Sequence, residues 1–240
     1  MAPDFSQRSS AIEVMDDLTY AGEVMDQTLV ELEIINKWLG GNEVTMNGLR
    51  ALLSSKTEKN KRVGLKIADL GCGGGDMLKL VANYFKKKKL NAEFTGIDAN
   101  PNILTFAQKN TQSFNEIKFQ SQNILSESFR SKRYDIVFAT LFFHHFTSPQ
   151  LVEIFKSLKK QTAVGIVMND LHRHWLAYYS IKLLTILFSK SSMVKNDAPI
   201  SVLRGFSKNE LKEILEEAGI ENYTLKWKWA FRWQLVIHCD

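Results

Sequence analysis

The chain has 240 residues, of which 45% are hydrophobic and 24% charged, a composition that fits one globular domain with a sizeable core. Lys and Arg exceed Asp and Glu by 31 − 26 = 5, a smaller excess than the dense basic stripe of a nucleic-acid-binding protein requires, so no nucleic-acid partner is expected. The two cysteines are too few for a disulfide framework, a zinc cluster or an iron–sulfur cluster, which favours a reducing, cytoplasmic location.

No targeting or membrane-spanning segment is predicted. The stretch MAPDFSQRSS at the start contains no apolar core flanked by positive charge. A bilayer span needs about 18 or more consecutive apolar residues, and the sequence has no such run. We therefore expect neither secretion nor a membrane span. A transient contact with a membrane surface stays open, as does the choice between a monomer and a homodimer.

Residues 1–60 are predicted to form an N-terminal helical cap. Between residues 11 and 54, apolar side chains recur at intervals of three and four, the spacing of an amphipathic helix. Two glycines and an asparagine at 40–42 are expected to stop the first helical stretch. The polar stretch SSKTEKNKR at 54–62 is predicted to connect this cap to the rest of the chain.

From residue 61 onward, short apolar runs alternate with helical patterns, which predicts a doubly wound, mostly parallel sheet. The runs are KIADL, EFTGID, IKFQSQ, YDIVFATLFF and AVGIVMND. Helix starts are expected at Asn100 before Pro101, at Ser148 before Pro149, and at Ser207 with a capping-box Glu210. The last two runs, YTLKWKW and FRWQLVIHC, leave no room for a crossover helix and should form an antiparallel hairpin on the sheet edge.

A glycine-rich loop follows the first predicted strand in IADLGCGGGDM, residues 67 to 77. Ligands of doubly wound sheets bind at the carboxyl ends of the strands, so this loop is the expected site. Its glycines have a G-x-G-x-G spacing rather than the G-x-G-x-x-G of dinucleotide folds, and Asp76 stands where the last glycine of that fingerprint would fall. With Asp69 before the loop, a carboxylate lies at each end. This arrangement suits a cationic ligand better than a pyrophosphate.

The loop Asp69 to Gly75 resembles the first motif of class I S-adenosylmethionine-dependent methyltransferases, and similar signatures follow in order. FTGID ends in Asp98, at the position that holds the ribose hydroxyls in this family, and QNI carries Asn123 where an aspartate is common beside the adenine. YDIVF is similar to the fourth strand. The resemblance covers about residues 60 to 240 and implies S-adenosylmethionine as cofactor and S-adenosylhomocysteine as product.

The resemblance implies an α/β, Rossmann-like fold: a mostly parallel seven-stranded sheet with a C-terminal antiparallel hairpin, in a domain spanning 61–240 behind the helical cap. Glycines let the backbone approach the amino-acid part of the cofactor, and a carboxylate offers two acceptors to a diol. The expected cofactor-binding residues are Asp69, Gly71, Cys72, Gly73, Gly75, Asp98, Ala99, Asn123, Ile124 and Thr140.

Three histidines are candidates for catalysis. Methyl transfer from a sulfonium is an in-line displacement, so alignment of the acceptor and its protonation state decide the rate. His144 and His145 follow the fourth strand, and His144 holds the place where similar O-methyltransferases carry a base. The alternative is that one of the pair only packs at the strand end. His172 is a further candidate, and the alternative is that it is an ordinary surface histidine. No metal is implied, since the sequence lacks a carboxylate cluster after the fourth strand.

Residues 171–205 are predicted to insert an acceptor lid after the fifth strand. The segment LHRHWLAYYSIKLLTILF is apolar and aromatic, too short for a bilayer span, and expected to be helical. It is interpreted as the wall of an apolar pocket, the alternative being a core helix. Asp170, Tyr178 and Arg204 are expected to contact the acceptor, although Arg204 also fits a solvated charge before a helix.

A closer resemblance joins ELEIINKWLGGNEVTMNGLRALL, MNDLHRHWLAYY and APISVLRGFS. Together they are similar to a bacterial subgroup associated with methylating phenolic or quinonoid lipids and polyketides in secondary metabolism. O-methylation of a small lipophilic phenolic or polyketide-type acceptor is therefore expected. C-methylation of a quinone-type ring and a non-catalytic S-adenosylmethionine-binding protein are the alternatives. A nucleic-acid methyltransferase is disfavoured, because TLFFHH stands in place of the adenine N6 motif and neither cysteine fits a cytosine nucleophile.

Overall fold

The computed structural model describes residues 3–55 and 64–239. In these ranges the chain forms seven strands: β1 (Leu65–Leu70), β2 (Ala92–Asp98), β3 (Ile117–Ser121), β4 (Tyr134–Thr140), β5 (Thr162–Leu171), β6 (Tyr223–Lys228) and β7 (Arg232–His238). The helices are α1 (Glu23–Trp38), α2 (Gly41–Ser55), α3 (Asp76–Lys87), α4 (Pro101–Asn110), α5 (Glu127–Arg130), α6 (Ser148–Gln161), α7 (Trp175–Phe188), α8 (Ser192–Arg204) and α9 (Lys208–Glu217). Two 3₁₀ turns cover Val14–Asp16 and Phe143–His145.

The strands form a single seven-stranded sheet in the order β3-β2-β1-β4-β5-β7-β6. Strands β1 to β5 are parallel, and β7 pairs antiparallel with both β5 and β6. The Rossmann-like sheet and its C-terminal hairpin are therefore confirmed. Of the two hairpin strands, only β6 lies at an edge of the sheet, since β7 is inserted between β5 and β6. The order reverses between β1 and β4, and this switch point brings the carboxyl ends of β1, β2 and β4 together.

The sheet is covered on both faces, so its strands read as continuous apolar runs rather than alternating ones. On one face, α2 and α3 bury Leu49, Leu52, Val81 and Phe85 against the strands. On the other, α6 and α9 bury side chains that include Leu151, Phe155, Leu211 and Leu215. This three-layer arrangement leaves the strand ends, rather than the strand faces, as the place for a ligand.

The predicted helix starts are confirmed with one shift. Asn100 caps α4 by accepting the Asn102 N–H at 2.9 Å, and Ser207 and Glu210 form the capping box of α9. Helix α6 begins at Ser148, but its cap is Thr147, which forms a capping box with Gln150. Pro149 therefore occupies the second helical position, where its missing N–H costs nothing.

The fourth strand ends earlier than its apolar run suggests. YDIVFATLFF predicts a strand up to residue 143, whereas β4 ends at Thr140. Leu141 has φ +54°, a left-handed conformation that breaks the ladder, and residues Phe143–His145 then form a 3₁₀ turn. The turn changes the direction of the chain directly over the end of β1.

The N-terminal region is helical in part. Between residues 3 and 22 the element order contains only the 3₁₀ turn at Val14–Asp16, and α1 and α2 then follow. The break between the two helices covers residues 39–40 rather than the expected 40–42, because α1 ends at Trp38 and Gly41 already starts α2. Trp38 is 84% exposed, so this apolar position of the predicted helical pattern faces solvent. Most of the predicted connector at 54–62 lies outside the described residues.

Helix α2 packs on β5 through a glycine. A Cβ on Gly48 would lie 2.5 Å from Cγ1 of the buried Val167. Nearby, the Asn169 side chain donates to the Gly41 carbonyl at 2.8 Å and to Thr45 Oγ1 at 3.0 Å, which fixes the start of the helix over the strand end. The helix therefore sits closer to the sheet than any larger residue at position 48 permits.

Gly48→Ala should lower the free energy of unfolding by about 1–3 kcal/mol, because overpacking at Val167 outweighs the helix propensity gained. Urea unfolding followed by circular dichroism measures this change. Asn47→Ala, at the exposed neighbouring position, is the control and should shift stability by less than about 0.5 kcal/mol. An equally stable or more stable Gly48→Ala protein would contradict the packing argument.

Candidate active site

A cavity of about 440 Å³ lies at the carboxyl ends of β1, β2 and β4. Nine of the ten expected cofactor-binding residues line it: Asp69, Gly71, Cys72, Gly73, Asp98, Ala99, Asn123, Ile124 and Thr140. The tenth, Gly75, adopts the left-handed conformation as the N-cap of α3 and does not line the cavity. The N-terminal segment and α1 also line the cavity, through side chains that include Met15, Leu18, Leu29 and Glu33.

The glycines of the loop are needed for different structural reasons. Gly71 has φ +65°, and a Cβ there would lie 2.1 Å from the Phe142 ring, so this glycine permits packing of the turn after β4. Gly73 has φ +50°, and among the described residues the only atom within 4 Å of its Cβ position is Leu29 Cδ2, at 3.8 Å. The loop itself is held by the Ile97 carbonyl, which accepts the N–H groups of Gly71 and Cys72. Gly73 is thus the position where a ligand can approach the backbone.

Three buried carboxyl groups, Asp69, Asp76 and Asp98, line the cavity. Burial, with Asp76 and Asp98 nearby, raises the pKa of Asp69 well above its usual range. Burial and the neighbouring Glu33 raise the pKa of Asp76 to about 6, and burial also raises the pKa of Asp98. Carboxyl groups that lie close together without a cation favour their neutral forms. A cationic ligand stabilises their ionised forms and offsets the repulsion between them. The donor set therefore fits a cofactor that carries an ammonium and a sulfonium.

Asp98 is oriented for a diol. Its Oδ2 accepts the Gly73 N–H at 3.3 Å and its Oδ1 accepts the Asn100 N–H at 3.0 Å. Each carboxylate oxygen has a second lone pair left for a ligand hydroxyl. Asn123 uses its side-chain oxygen to accept the Leu125 N–H at 2.9 Å, so its amide NH₂ is the group turned to a ligand. Both residues are fixed before a ligand arrives.

The histidine pair is divided between two environments. His145 lines the cavity, and its Nδ1 bonds to Asp16 Oδ1 at 2.6 Å. Asp16 also accepts a hydrogen bond from Arg204 at 2.5 Å. Burial acts to raise the pKa of Asp16, but the bonds from His145 and Arg204 hold it below its usual range. Asp16 therefore stays ionised and orients the imidazole.

His144 lies behind the cavity wall and is buried with Asp170, whose Oδ1 bonds to its Nδ1 at 2.7 Å. Its Nε2 faces Glu13 Oε1 at 3.6 Å, and neither atom has a hydrogen-bond partner in the described residues. Burial raises the pKa of Glu13 to about 7. The expected base and the expected acceptor contact Asp170 are thus placed together, but away from the cavity.

Glu13, His144 and His145 also present ligand atoms within 4.8 Å of one another, the kind of group that holds a metal. Two features oppose a divalent cation there. The Arg204 guanidinium lies 3.5 Å from Glu13 Oε1, and His145 Nδ1 is already bonded to Asp16 Oδ1 at 2.6 Å. We interpret the group as an ion-pair cluster that anchors the N-terminal segment.

The third candidate for catalysis, His172, and the other expected acceptor contacts, Tyr178 and Arg204, lie outside the cavity. His172 accepts a hydrogen bond from Trp227 Nε1 at 3.2 Å, and Tyr178 packs edge-on against Phe5. Arg204 is buried and donates to the carbonyls of His144 and His145 as well as to Asp16. No residue of 171–205, a range that is fully described, lines the cavity.

Residues 171–205 instead hold in place the N-terminal segment that covers the cavity. The Asp197 carboxylate in α8 accepts the N–H groups of Val14 and Met15 at 2.9 and 3.0 Å, and Ser201 donates to Glu13 at 2.8 Å. Met15, Asp16 and the α1 residues were therefore missed as site residues. Their sequence shows only the three-and-four spacing of an ordinary amphipathic helix, which carries no sign of a ligand.

Gly73→Ala should weaken S-adenosylmethionine binding about tenfold or more, because the added methyl enters cavity space beside the expected ligand. Gly219→Ala is a matched control, since Gly219 also has a left-handed φ (+68°) with open space around its Cβ position. Both variants lose about 1–2 kcal/mol of stability from the backbone conformation. Calorimetric titration separates the two effects. Equal affinity of both variants would place the ligand elsewhere.

Binding of S-adenosylmethionine should weaken about three- to tenfold between pH 7.5 and pH 5. The pKa of Asp76 is about 6, so this carboxylate is ionised above pH 6 and attracts a cation, and it is neutral below. Titration calorimetry at several pH values measures the change. Asp76→Asn should bind weakly at both pH values and flatten the curve. A cofactor that binds more tightly at pH 5 would contradict this account.

The comparisons with known proteins agree with this geometry. A family model described as a methyltransferase domain matches residues 61–219, more than half of the chain. No curated protein matches the sequence. Among solved structures, the plantazolicin methyltransferase BpumL, in complex with S-adenosylhomocysteine and a desmethylplantazolicin analogue, has 21% identity and a TM-score of 0.60, covering 83% of this chain and 72% of that one.

Two further structures are similar in fold. The human N-acetylserotonin methyltransferase in complex with S-adenosylmethionine has 14% identity and a TM-score of 0.61, over 89% of this chain and 55% of that one. The CurJ carbon methyltransferase has 15% identity and a TM-score of 0.60, over 83% and 54%. The chain spans about half the length of these two proteins. At such identities the likeness shows the fold, while the family model shows the relationship. The chain belongs to the methyltransferase domain family, and S-adenosylmethionine is its cofactor, with S-adenosylhomocysteine as the product.

Proposed function

We propose that this protein transfers the methyl group of S-adenosylmethionine to a hydroxyl oxygen of a small lipophilic aromatic acceptor, of the phenolic or polyketide type. One observation carries the proposal. The imidazole of His145, bonded to Asp16, lies in the same cavity as the acidic glycine loop. An oriented imidazole beside a cofactor site is the group that a hydroxyl acceptor requires, because its proton must be removed during transfer.

The surroundings of His145 support a lipophilic acceptor. Met15, Leu18, Phe142 and Phe146 line the same cavity as His145. Phe142 and Phe146 are packed edge to face, 5.1 Å apart, and present aromatic surface. A cavity of about 440 Å³ is at the small end for ligand sites, so cofactor and a large polymer acceptor do not fit together.

When bound, the cofactor supplies an electrophilic methyl group to an oxygen that approaches in line. His145 accepts the hydroxyl proton on its free ring nitrogen, and Asp16 stabilises the resulting imidazolium through Nδ1. Arg204 keeps Asp16 ionised and in place. The apolar walls exclude water from the reacting oxygen. His144 and Asp170 act as positioning residues, since they fix the turn that carries His145.

His145→Gln should lower kcat for a phenolic acceptor about 10²-fold or more while S-adenosylmethionine affinity stays within about twofold. His238→Gln, outside the cavity, is the matched control and should keep the wild-type rate. A His145→Gln variant with the full rate would exclude His145 as the base.

The product decides between the alternatives. Transfer of a ¹³C-labelled methyl group should give a methoxy signal by NMR with phenolic acceptors. A methyl bonded to a ring carbon would instead favour the quinone C-methyltransferase, which needs much the same pocket. Binding of the cofactor with no S-adenosylhomocysteine released from any phenol, quinone or polyketide would favour a non-catalytic binding protein.

A further inference from the structure

Helix α7 exposes an apolar surface that no described part of the chain covers. Six of its large side chains are between 50% and 78% exposed. They are Trp175, Tyr179, Leu183, Ile186, Leu187 and Phe188. Only a narrow stripe at Ala177 and Thr185 is buried, although nearly every position of the helix is apolar. A helix that is apolar all round belongs in a core or in contact with lipid, and this one lies at the surface of the protein.

The apolar surface continues onto the C-terminal hairpin. His174 stacks on Phe231 in the hairpin turn, with ring centroids 5.1 Å apart, and on Trp175 at the start of α7. Trp229, which is 69% exposed, lies next to Phe231. Exposed tryptophans at the end of an apolar face are typical of the interface between water and a bilayer, where an amphipathic ring is half immersed.

The charged residues within the segments that form this surface have one sign. Residues 171–196 and 222–239 contain no Asp or Glu. They contribute five lysines, Lys182, Lys190, Lys195, Lys226 and Lys228. The arginines in the same segments are buried, and one of them, Arg173, is paired with Glu210. The face therefore combines apolar side chains with unneutralised lysines, which is the composition that anionic headgroups attract.

We propose that α7 and the tip of the β6–β7 hairpin dock this protein onto the surface of an anionic lipid bilayer. The 14 residues of α7 extend about 21 Å at 1.5 Å per residue, shorter than the hydrocarbon core, so the helix lies in the interface. Within the described residues, no helix is long and apolar enough to cross a membrane. A second copy of the chain is a poorer occupant, because its own lysines would face these lysines.

Docking of this face brings the bilayer close to the cover of the cavity. The carboxylate of Glu31 in α1 accepts the N–H groups of Lys190 and Ser191, and Thr28 bonds to Ser191 at 2.7 Å. The end of α7 is thus fastened to the helix whose other side lines the cavity. The docking itself does not depend on the proposed methyl transfer.

Flotation with lipid vesicles tests the proposal on the full chain, without cofactor or acceptor. Vesicles of phosphatidylcholine with one third phosphatidylglycerol should bind the protein, and pure phosphatidylcholine vesicles should bind it about tenfold less. Leu187→Glu should lower binding to the anionic vesicles about tenfold or more, because an exposed apolar anchor becomes an anion. Leu80→Glu makes the same change at an exposed leucine of α3 and should leave binding unchanged.

Three results would overturn the proposal: no binding to either vesicle, equal binding to both, or equal binding of Leu187→Glu and wild type. A fourth is a wild-type dimer that Leu187→Glu converts to a monomer in light scattering, which would assign the face to a second copy. Circular dichroism of each variant verifies its fold. Because no methyl transfer is measured, failure here leaves the proposed function standing, and inactivity on phenols leaves the docking standing.

Discussion

The carboxylate of Asp16 holds the cavity together. It accepts hydrogen bonds from Arg204 and His145, and it brings an extended N-terminal segment against a turn that lies 129 residues away in sequence. Arg204 is buried and also lies 3.5 Å from Glu13 Oε1, so loss of Asp16 would remove one of its two anionic partners. With the Asp197 bonds to Val14 and Met15, this ion pair holds the N-terminal segment over the cavity. The orientation of the His145 imidazole depends on the same carboxylate.

The cavity is lined by both acidic and apolar groups. Burial raises the pKa of Asp69, Asp76 and Asp98, so each of these charges is costly until a cation arrives. Met15, Leu18, Phe142 and Phe146 add apolar and aromatic surface to the same cavity. Among the loop glycines, Gly73 has the most open space around its Cβ position, which is where a ligand can approach the backbone.

The sheet was predictable because its signals are local. Seven apolar runs, the capping box at Ser207 and the Asn100–Pro101 helix start all depend on neighbouring residues, and the structure retains them. The predicted end of β4 was wrong by three residues, because Leu141 adopts a left-handed conformation that an apolar run does not reveal. The role of 171–205 was also obscure. Apolar side chains predict a pocket wall, a core helix or an exposed face equally well, and only the packing of α7 separates them.

By itself, the sequence determined the fold and the cofactor, and it predicted the loop that lines the cavity, because a strand, a glycine turn and two flanking carboxylates are fixed by spacing within a few residues. Tertiary structure decided which histidine faces the cavity. His144 and His145 are adjacent in sequence, but a 3₁₀ turn directs them to different partners, Asp170 and Asp16. Those partners come from β5 and from the N-terminal segment. Their meeting depends on how distant segments pack, which no local spacing records.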